Sequence, residues 1–94
     1  MKERTLRPHP RAVLQTMHDG SAVVLHLDTR YYFTLSESGA LLWKTLADAG
    51  TGLTPTDLAS ALTTEYEIDD ETARHDVESW LARMLADELL VSGE

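Results

Sequence analysis

The sequence predicts an α+β domain in which three antiparallel strands precede three helices. Short alternating or aromatic-rich segments fall before residue 36, whereas helical periodicity and helix-capping residues follow it. Strands followed by helices along a chain are typical of this class. The last two helices, joined by a short connection, also resemble a helix-turn-helix. Residues 1–10 hold two prolines and little periodicity, which predicts an extended, loose arm before a single domain at residues 11–94.

Three segments carry the strand signals. The first is Arg11–Thr16, and the Asp19-Gly20 pair that follows it is a strong turn signal. Ala22–Asp28 alternates between two faces, and Tyr31–Leu35 is rich in aromatic residues. The short connections between these segments predict an antiparallel meander.

The first two helices each have a clear start signal. Ser36 is a good N-cap for Glu37–Ala49, and Gly50 stops that helix. Thr54 and Asp57 have the spacing of a capping box, with a proline at the first helical position between them. The apolar spacing carries this second helix to about residue 66.

The third helix has the clearest amphipathic pattern in the chain. Asp69 or Asp70 begins it, and it runs to about Glu88. Its apolar stripe consists of Ala73, Val77, Trp80, Leu81, Met84 and Leu85. The apolar tail Leu89–Val91 either covers the core or adds a short strand.

The charge balance argues against a nucleic-acid partner. The formal net charge is -8, and residues 31–94 carry thirteen acidic against three basic side chains. Binding to nucleic acid depends on Lys and Arg neutralising phosphates. The 94 residues include no cysteine and no run of about 20 apolar residues that could span a membrane. We therefore expect a cytoplasmic protein that binds neither nucleic acid nor membrane.

No arrangement of side chains indicates catalysis or metal binding. The four histidines lack helical metal-ligand spacing, and no serine lies in a GxSxG motif. Alternation puts Val23 and Leu25 on one face of their strand and His26 on the other, so we expect a solvated, outward-facing His26. The acidic residues of Glu65–Glu71 lack the turn glycine of a calcium loop; helix capping and solubility explain them, and a docking surface for a basic partner is the alternative. We predict a non-catalytic protein with no metal and no cofactor.

The third strand has the features of a binding edge. Tyr31, Phe33 and Leu35 share one face while Tyr32 and Thr34 share the other, so both faces carry an aromatic residue. The last strand of a meander leaves backbone groups that an extended peptide can pair with. A second wall is predicted from the flank of the third helix. The predicted peptide-binding residues are Arg30, Tyr31, Tyr32, Phe33, Thr34, Leu35, Asp76, Ser79, Trp80, Arg83 and Met84.

Three stretches of the sequence resemble the PqqD-like family. Tyr32–Trp43, which reads YFTLSESGALLW, is similar to its signature, an aromatic strand followed by Leu-Asn-x-x-Gly-Ala-x-x-Trp. Thr54–Tyr66 resembles the family's helix that ends in an aromatic residue, and Ile68–Leu85 resembles its following segment. The resemblance covers residues 10–91. Glu88 stands near a usual C-terminal glycine, which leaves the end of the third helix open.

The resemblance implies a winged helix-turn-helix that recognises ribosomally made, modified peptides. Family members bind the leader segment of a precursor as an added strand between the third strand and the third helix. The chain resembles most the stand-alone B1 proteins of lasso-peptide clusters, which implies a leader peptidase and a cyclase as further partners. A PqqD-type chaperone of another modified-peptide pathway and a winged-helix DNA-binding regulator are the alternatives. A monomer or a weak homodimer that uses the same strand edge fits the sequence.

Overall fold

The computed structural model describes residues 5–49 and 52–93. In chain order the elements are β1 (Thr5–Pro8), β2 (Ala12–Thr16), β3 (Ala22–His26), β4 (Tyr32–Leu35), α1 (Glu37–Ala49), α2 (Pro55–Glu65), α3 (Asp70–Ala86) and β5 (Leu90–Gly93). The predicted meander corresponds to β2, β3 and β4. The three predicted helices are α1, α2 and α3. None of the described helices has the length and apolar character that crossing a bilayer requires.

The meander forms a three-stranded antiparallel sheet in the order β2-β3-β4. Thr16 lies opposite Ala22 in the first pair of strands, and Ala22 lies opposite Leu35 in the second. Each strand is one or two residues shorter than predicted. Because β3 is central, β4 is an edge strand, as the sequence indicated.

The N-terminal segment differs from the predicted loose arm. Thr5–Pro8 is extended, but it pairs antiparallel with β5 in a second, two-stranded sheet. Leu6 is fully buried, and its backbone exchanges hydrogen bonds of 2.8 and 3.0 Å with Leu53. A single apolar residue between polar neighbours gives no periodic signal, and its partner strand lies at the other end of the chain. Residues 1–4 of the predicted arm lie outside the described residues.

The predicted helix starts are confirmed. Thr54 and Asp57 form a capping box: the Thr54 hydroxyl accepts from the Asp57 N–H at 3.2 Å, and the Asp57 carboxylate accepts from the Thr54 N–H at 3.0 Å. Asp69 caps α3 by accepting from the Thr72 N–H at 2.8 Å. Gly50, the predicted stop of α1, lies outside the described residues.

The third helix ends two residues before the predicted Glu88, in a Schellman motif. The Leu89 N–H donates to the Met84 carbonyl at 2.9 Å, and the Glu88 N–H donates to the Leu85 carbonyl at 3.1 Å. Glu88 occupies the left-handed position of the motif with a φ of 61°. The turn sends the chain into β5, so the predicted apolar tail both covers the core and forms a strand.

The hydrophobic core lies between the inner face of the sheet and the three helices. The sheet, the strand pair β1–β5 and every helix contribute to it. Its buried side chains include Leu6, Val24, Leu35, Leu46, Leu58, Val77, Leu81, Met84 and Leu89.

The face of β3 that packs on this core is not the one predicted. Val24 and His26 are buried, whereas Leu25 and Leu27 are exposed, so the expected outward-facing His26 is wrong. His26 is 2% exposed, its Nδ1 accepts from the Asp28 N–H at 3.2 Å, and its ring lies 4.7 Å from the ring of His9. The ring therefore packs in the core with one nitrogen hydrogen-bonded, while its buried Nε2 has no hydrogen-bond partner among the described residues.

Candidate functional site

The hydrogen-bonding phase of β4 identifies which backbone groups face its free edge. The His26 N–H donates to the Tyr31 carbonyl at 3.0 Å, which marks these residues as a hydrogen-bonded pair. In an antiparallel ladder such pairs alternate with non-hydrogen-bonded ones, so Phe33 hydrogen-bonds to β3, whereas Tyr32 and Thr34 lie opposite Leu25 and Val23 without hydrogen-bonding to them. The N–H and C=O groups of Tyr32 and Thr34 therefore point away from β3. They form the free edge of β4.

The side chains at this end of the sheet are accessible. Tyr31 and Tyr32 are 70% and 71% exposed, which makes them the most exposed large apolar side chains described. Thr34 is also exposed. Arg30 precedes them with a φ of 66°, a strained value for a residue with a side chain. Two accessible phenol rings beside an unpaired strand edge can contact a bound chain.

The side chains on the inner face of β4 pack against the core and offer little accessible surface. Leu35 is buried in the core and Phe33 is partly buried against it. By the same alternation the backbone groups of Leu35 face Ala22 of β3, so this predicted site residue presents neither its side chain nor its backbone to a partner at the free edge. Tyr31, which was predicted to open the strand, lies just before it.

Helix α3 reaches the junction of β4 and α1 through Trp80. The indole Nε1 lies 3.1 Å from the position that a β-carbon would take on Gly39, and that same position is 3.5 Å from Leu35 Cβ and 3.6 Å from Ser36 Oγ. The ring is partly buried against the core. Trp80 thereby brings the flank of α3 beside the end of β4, and its role in binding a peptide stays a prediction.

The other predicted residues of α3 divide into surface and core. Asp76, Ser79 and Arg83 are exposed. Met84 is 1% exposed and packs in the core, so it does not line a surface groove. The helical spacing correctly predicted an apolar environment for Met84, but its side chain points into the core and not toward the groove.

An open cavity of about 360 Å³ lies where β4 ends, between α1, α2 and α3. It is lined by Ser36, Glu37, Ser38, Leu62, Tyr66, Ile68 and Asp76. Of these, only Asp76 was predicted as a site residue. Tyr66 and Ile68 carried a signal that could have identified the cavity, because each is a large apolar side chain among acidic neighbours after the second helix.

The cavity has a negative electrostatic environment. Partial burial of Tyr66, together with the nearby carboxylates of Glu37 and Glu65, raises the pKa of its phenol above the usual value near 10. Asp76 adds a carboxylate to the wall, and its Oδ1 lies 4.0 Å from Nδ1 of the exposed His75. No Lys, Arg or His is among the described residues that line the cavity.

Comparison with known proteins identifies the family. Residues 21–90 match the family described as Coenzyme PQQ synthesis protein D (PqqD). The chain belongs to the PqqD family. No curated protein matches the sequence.

Two solved structures of similar fold are complexes with leader peptides. TbiB1 in complex with the TbiA(beta) leader peptide is 30% identical, with a TM-score of 0.78 over 89% of this chain and 93% of that one. A lasso peptide synthetase B1 complexed with the leader peptide is 24% identical, with a TM-score of 0.77 over 93% and 98% of the two chains. The α+β winged-helix architecture and the predicted resemblance to the PqqD family are both confirmed.

Proposed function

We propose that this chain binds the leader segment of a ribosomally made precursor peptide and delivers it to the enzymes that process it. The leader adds a strand to the free edge of β4 and lies against the flank of α3. Its backbone pairs with Tyr32 and Thr34, and its side chains contact the exposed tyrosines and the surface around Trp80. The pathway is of the lasso-peptide type, the chain acts without catalysis, and the setting is the cytoplasm.

The observation that carries the proposal is the unpaired edge of β4 beside Trp80. An edge strand with free backbone groups and exposed aromatic side chains is a template for an added strand. Membership in the PqqD family and the 30% identity to TbiB1, which was solved with a leader peptide, point to a leader as that strand. A leader peptidase and a cyclase are the enzymes to which it would be delivered.

Calorimetric titration with a synthetic leader tests the proposal. The probe is the leader segment of the precursor encoded beside this chain, with a scrambled leader as its control. We expect saturable one-to-one binding that the scrambled peptide lacks. Binding of duplex DNA at low salt in the absence of leader binding would instead favour the winged-helix regulator.

Proline substitutions test whether the edge of β4 is the site. Thr34→Pro removes a donor from the free edge and leaves the ladder with β3 intact, because the Thr34 N–H does not pair with β3. Thr16→Pro makes the same change at the outer edge of β2 and serves as the matched control. We expect Thr34→Pro to weaken leader binding about tenfold, the effect of losing one backbone hydrogen bond, and Thr16→Pro to leave it unchanged. Equal binding by both folded variants would contradict strand addition at β4.

A further inference from the structure

The cavity at the end of β4 combines an apolar wall with two carboxylates. Leu62, Ile68 and the ring of Tyr66 form the apolar part, and Glu37 and Asp76 supply negative charge at the same opening. Apolar side chains alone would suit an aliphatic or aromatic group. The carboxylates make such an occupant unfavourable unless it also carries positive charge, because an apolar group would desolvate them without compensation.

The position of the cavity joins it to the proposed leader site. Ser36 directly follows the last residue of β4 and lines the cavity, and Asp76 lies one helical turn before Trp80 on α3. A peptide paired with the edge of β4 would pass the opening as it leaves the strand. One of its side chains could then enter.

The geometry points to a pocket for a Lys or Arg side chain of the bound leader, an inference that rests on the proposed function. The aliphatic stem lies along Leu62 and Ile68, and the cationic head meets the carboxylates of Glu37 and Asp76. The face of Tyr66 adds a cation–π contact. The chemistry of this pocket would select leaders with a basic residue at one fixed position.

Two basic side chains lie near the opening without lining it: His75 Nδ1 is 4.0 Å from Asp76 Oδ1, and Lys44 lines an adjacent cavity together with Glu37. The start of α1 contributes about +0.5 elementary charge, and its Gly39 N–H already donates to the Ser36 hydroxyl at 3.3 Å. Two carboxylates outweigh this partial charge. Burial is the largest cause of the raised pKa of the Tyr66 phenol, and the Glu37 and Glu65 carboxylates add to it.

A fragment titration tests the pocket without any peptide. The ¹⁵N-labelled full chain is titrated with n-butylguanidinium, n-pentanol and n-pentanoate, which share a stem and differ in the charge of the head. We expect n-butylguanidinium to shift the amides of Tyr66, Ile68 and Asp76 saturably and more tightly than the other two. Pentanol binding as tightly, shifts spread over the acidic surface, or no saturable shift at these amides would overturn the inference.

Two variants of α3 separate the pocket from general acidity. Asp76→Asn removes a carboxylate from the wall, and we expect the dissociation constant of n-butylguanidinium to rise about tenfold, as for one lost charge-assisted hydrogen bond. Glu78→Gln removes the same charge from a position that lines a different cavity. It should leave the binding unchanged. Equal weakening by both variants would mean that the net charge, not the pocket, attracts the probe.

Selection from a displayed library of random peptides distinguishes failure of this inference from failure of the proposed function. Enriched peptides that lose binding in Thr34→Pro and carry Lys or Arg at one fixed position support both. Enriched peptides with an apolar residue at that position, or whose basic preference persists in Asp76→Asn, overturn the pocket and leave the function standing. If no peptide is enriched while n-butylguanidinium still occupies the cavity, the function fails and the cation site stands.

Discussion

The indole Nε1 of Trp80 lies 3.1 Å from the position that a β-carbon would take on Gly39, so any side chain at residue 39 would have to displace the indole that joins the flank of α3 to the start of α1. We expect Gly39→Val to destabilise the fold by about 1–2 kcal/mol through overpacking, despite a better helix propensity. Denaturant unfolding followed by tryptophan fluorescence measures this loss.

The same substitution in a Trp80→Ala background provides the control for this contact. Removing the indole creates space for the valine, so Gly39→Val should cost less there, with a coupling of about 1 kcal/mol or more. Additive losses would show that the two residues do not interact and that the valine acts only within α1.

Glu88 is the clearest place where the chain is less stable than it could be. It occupies the left-handed position of the Schellman motif at the end of α3, where glycine avoids the steric cost of a side chain. We expect Glu88→Gly to stabilise the fold by about 1 kcal/mol and to raise the melting temperature by about 4–8 °C. Calorimetric melting measures both. Asp87→Gly is the control, because Asp87 has a φ of -89° and should lose stability on substitution.

Capping residues and apolar spacing predicted the helices and the three-stranded meander well. The features that they did not predict depend on contacts between segments far apart in the sequence. The capping residues Thr54 and Asp69 gave the helix starts because a cap is a contact between residues three apart. The burial of His26 could not be predicted, because both faces of β3 carry apolar residues and only its neighbours in the sheet decide which face turns inward. Strand β1 was missed for the same reason, since its partner lies at the far end of the chain.

The site was predicted in part for similar reasons. The edge character of the strand and the place of Trp80 followed from element order and helical spacing. Met84 was predicted to line the groove but is buried in the core, because helical spacing alone does not show which apolar residues stay accessible. Tyr66 and Ile68 stand out in the sequence as large apolar residues among acidic ones, but the walls that α1 and α3 add to the cavity could not be predicted from that segment alone.

Leu6 provides a direct test of whether the N-terminal strand belongs to the fold. It is fully buried, so Leu6→Ala should leave a cavity and cost about 3 kcal/mol. Val13→Ala, at a half-exposed position on β2, is the control and should cost less than about 1 kcal/mol. Urea unfolding of both variants measures the difference. Equal, small losses would mean that β1 contributes little to stability.

The cap of α3 makes stability depend on pH in acid. Hydrogen bonds from Thr72 lower the pKa of Asp69 below its usual value of 3.8. The stabilisation by its carboxylate is therefore complete above about pH 4 to 5 and is lost as the pH falls through the lowered pKa. We expect Asp69→Asn to flatten the stability profile in that acid range, as measured by urea midpoints down to about pH 2.5. Asp70→Asn removes a charge from the same turn, leaves the cap in place and should keep the acid-dependent loss.

Arg83 tests whether the flank of α3 is the second wall of the leader site. It is exposed, so its substitution should leave the fold intact. If a bound leader carries an acidic group beside α3, Arg83→Glu replaces an attraction with a repulsion and should weaken binding about tenfold or more. Arg74→Glu makes the same charge change on the same helix at a position that lines a separate cavity with Pro55 and Thr56, and it should bind leader normally. Trp80→Ala should also weaken binding, but its loss of packing makes Arg83 the cleaner variant. Normal binding by a folded Arg83→Glu variant would restrict the site to β4 and remove this part of α3 from it.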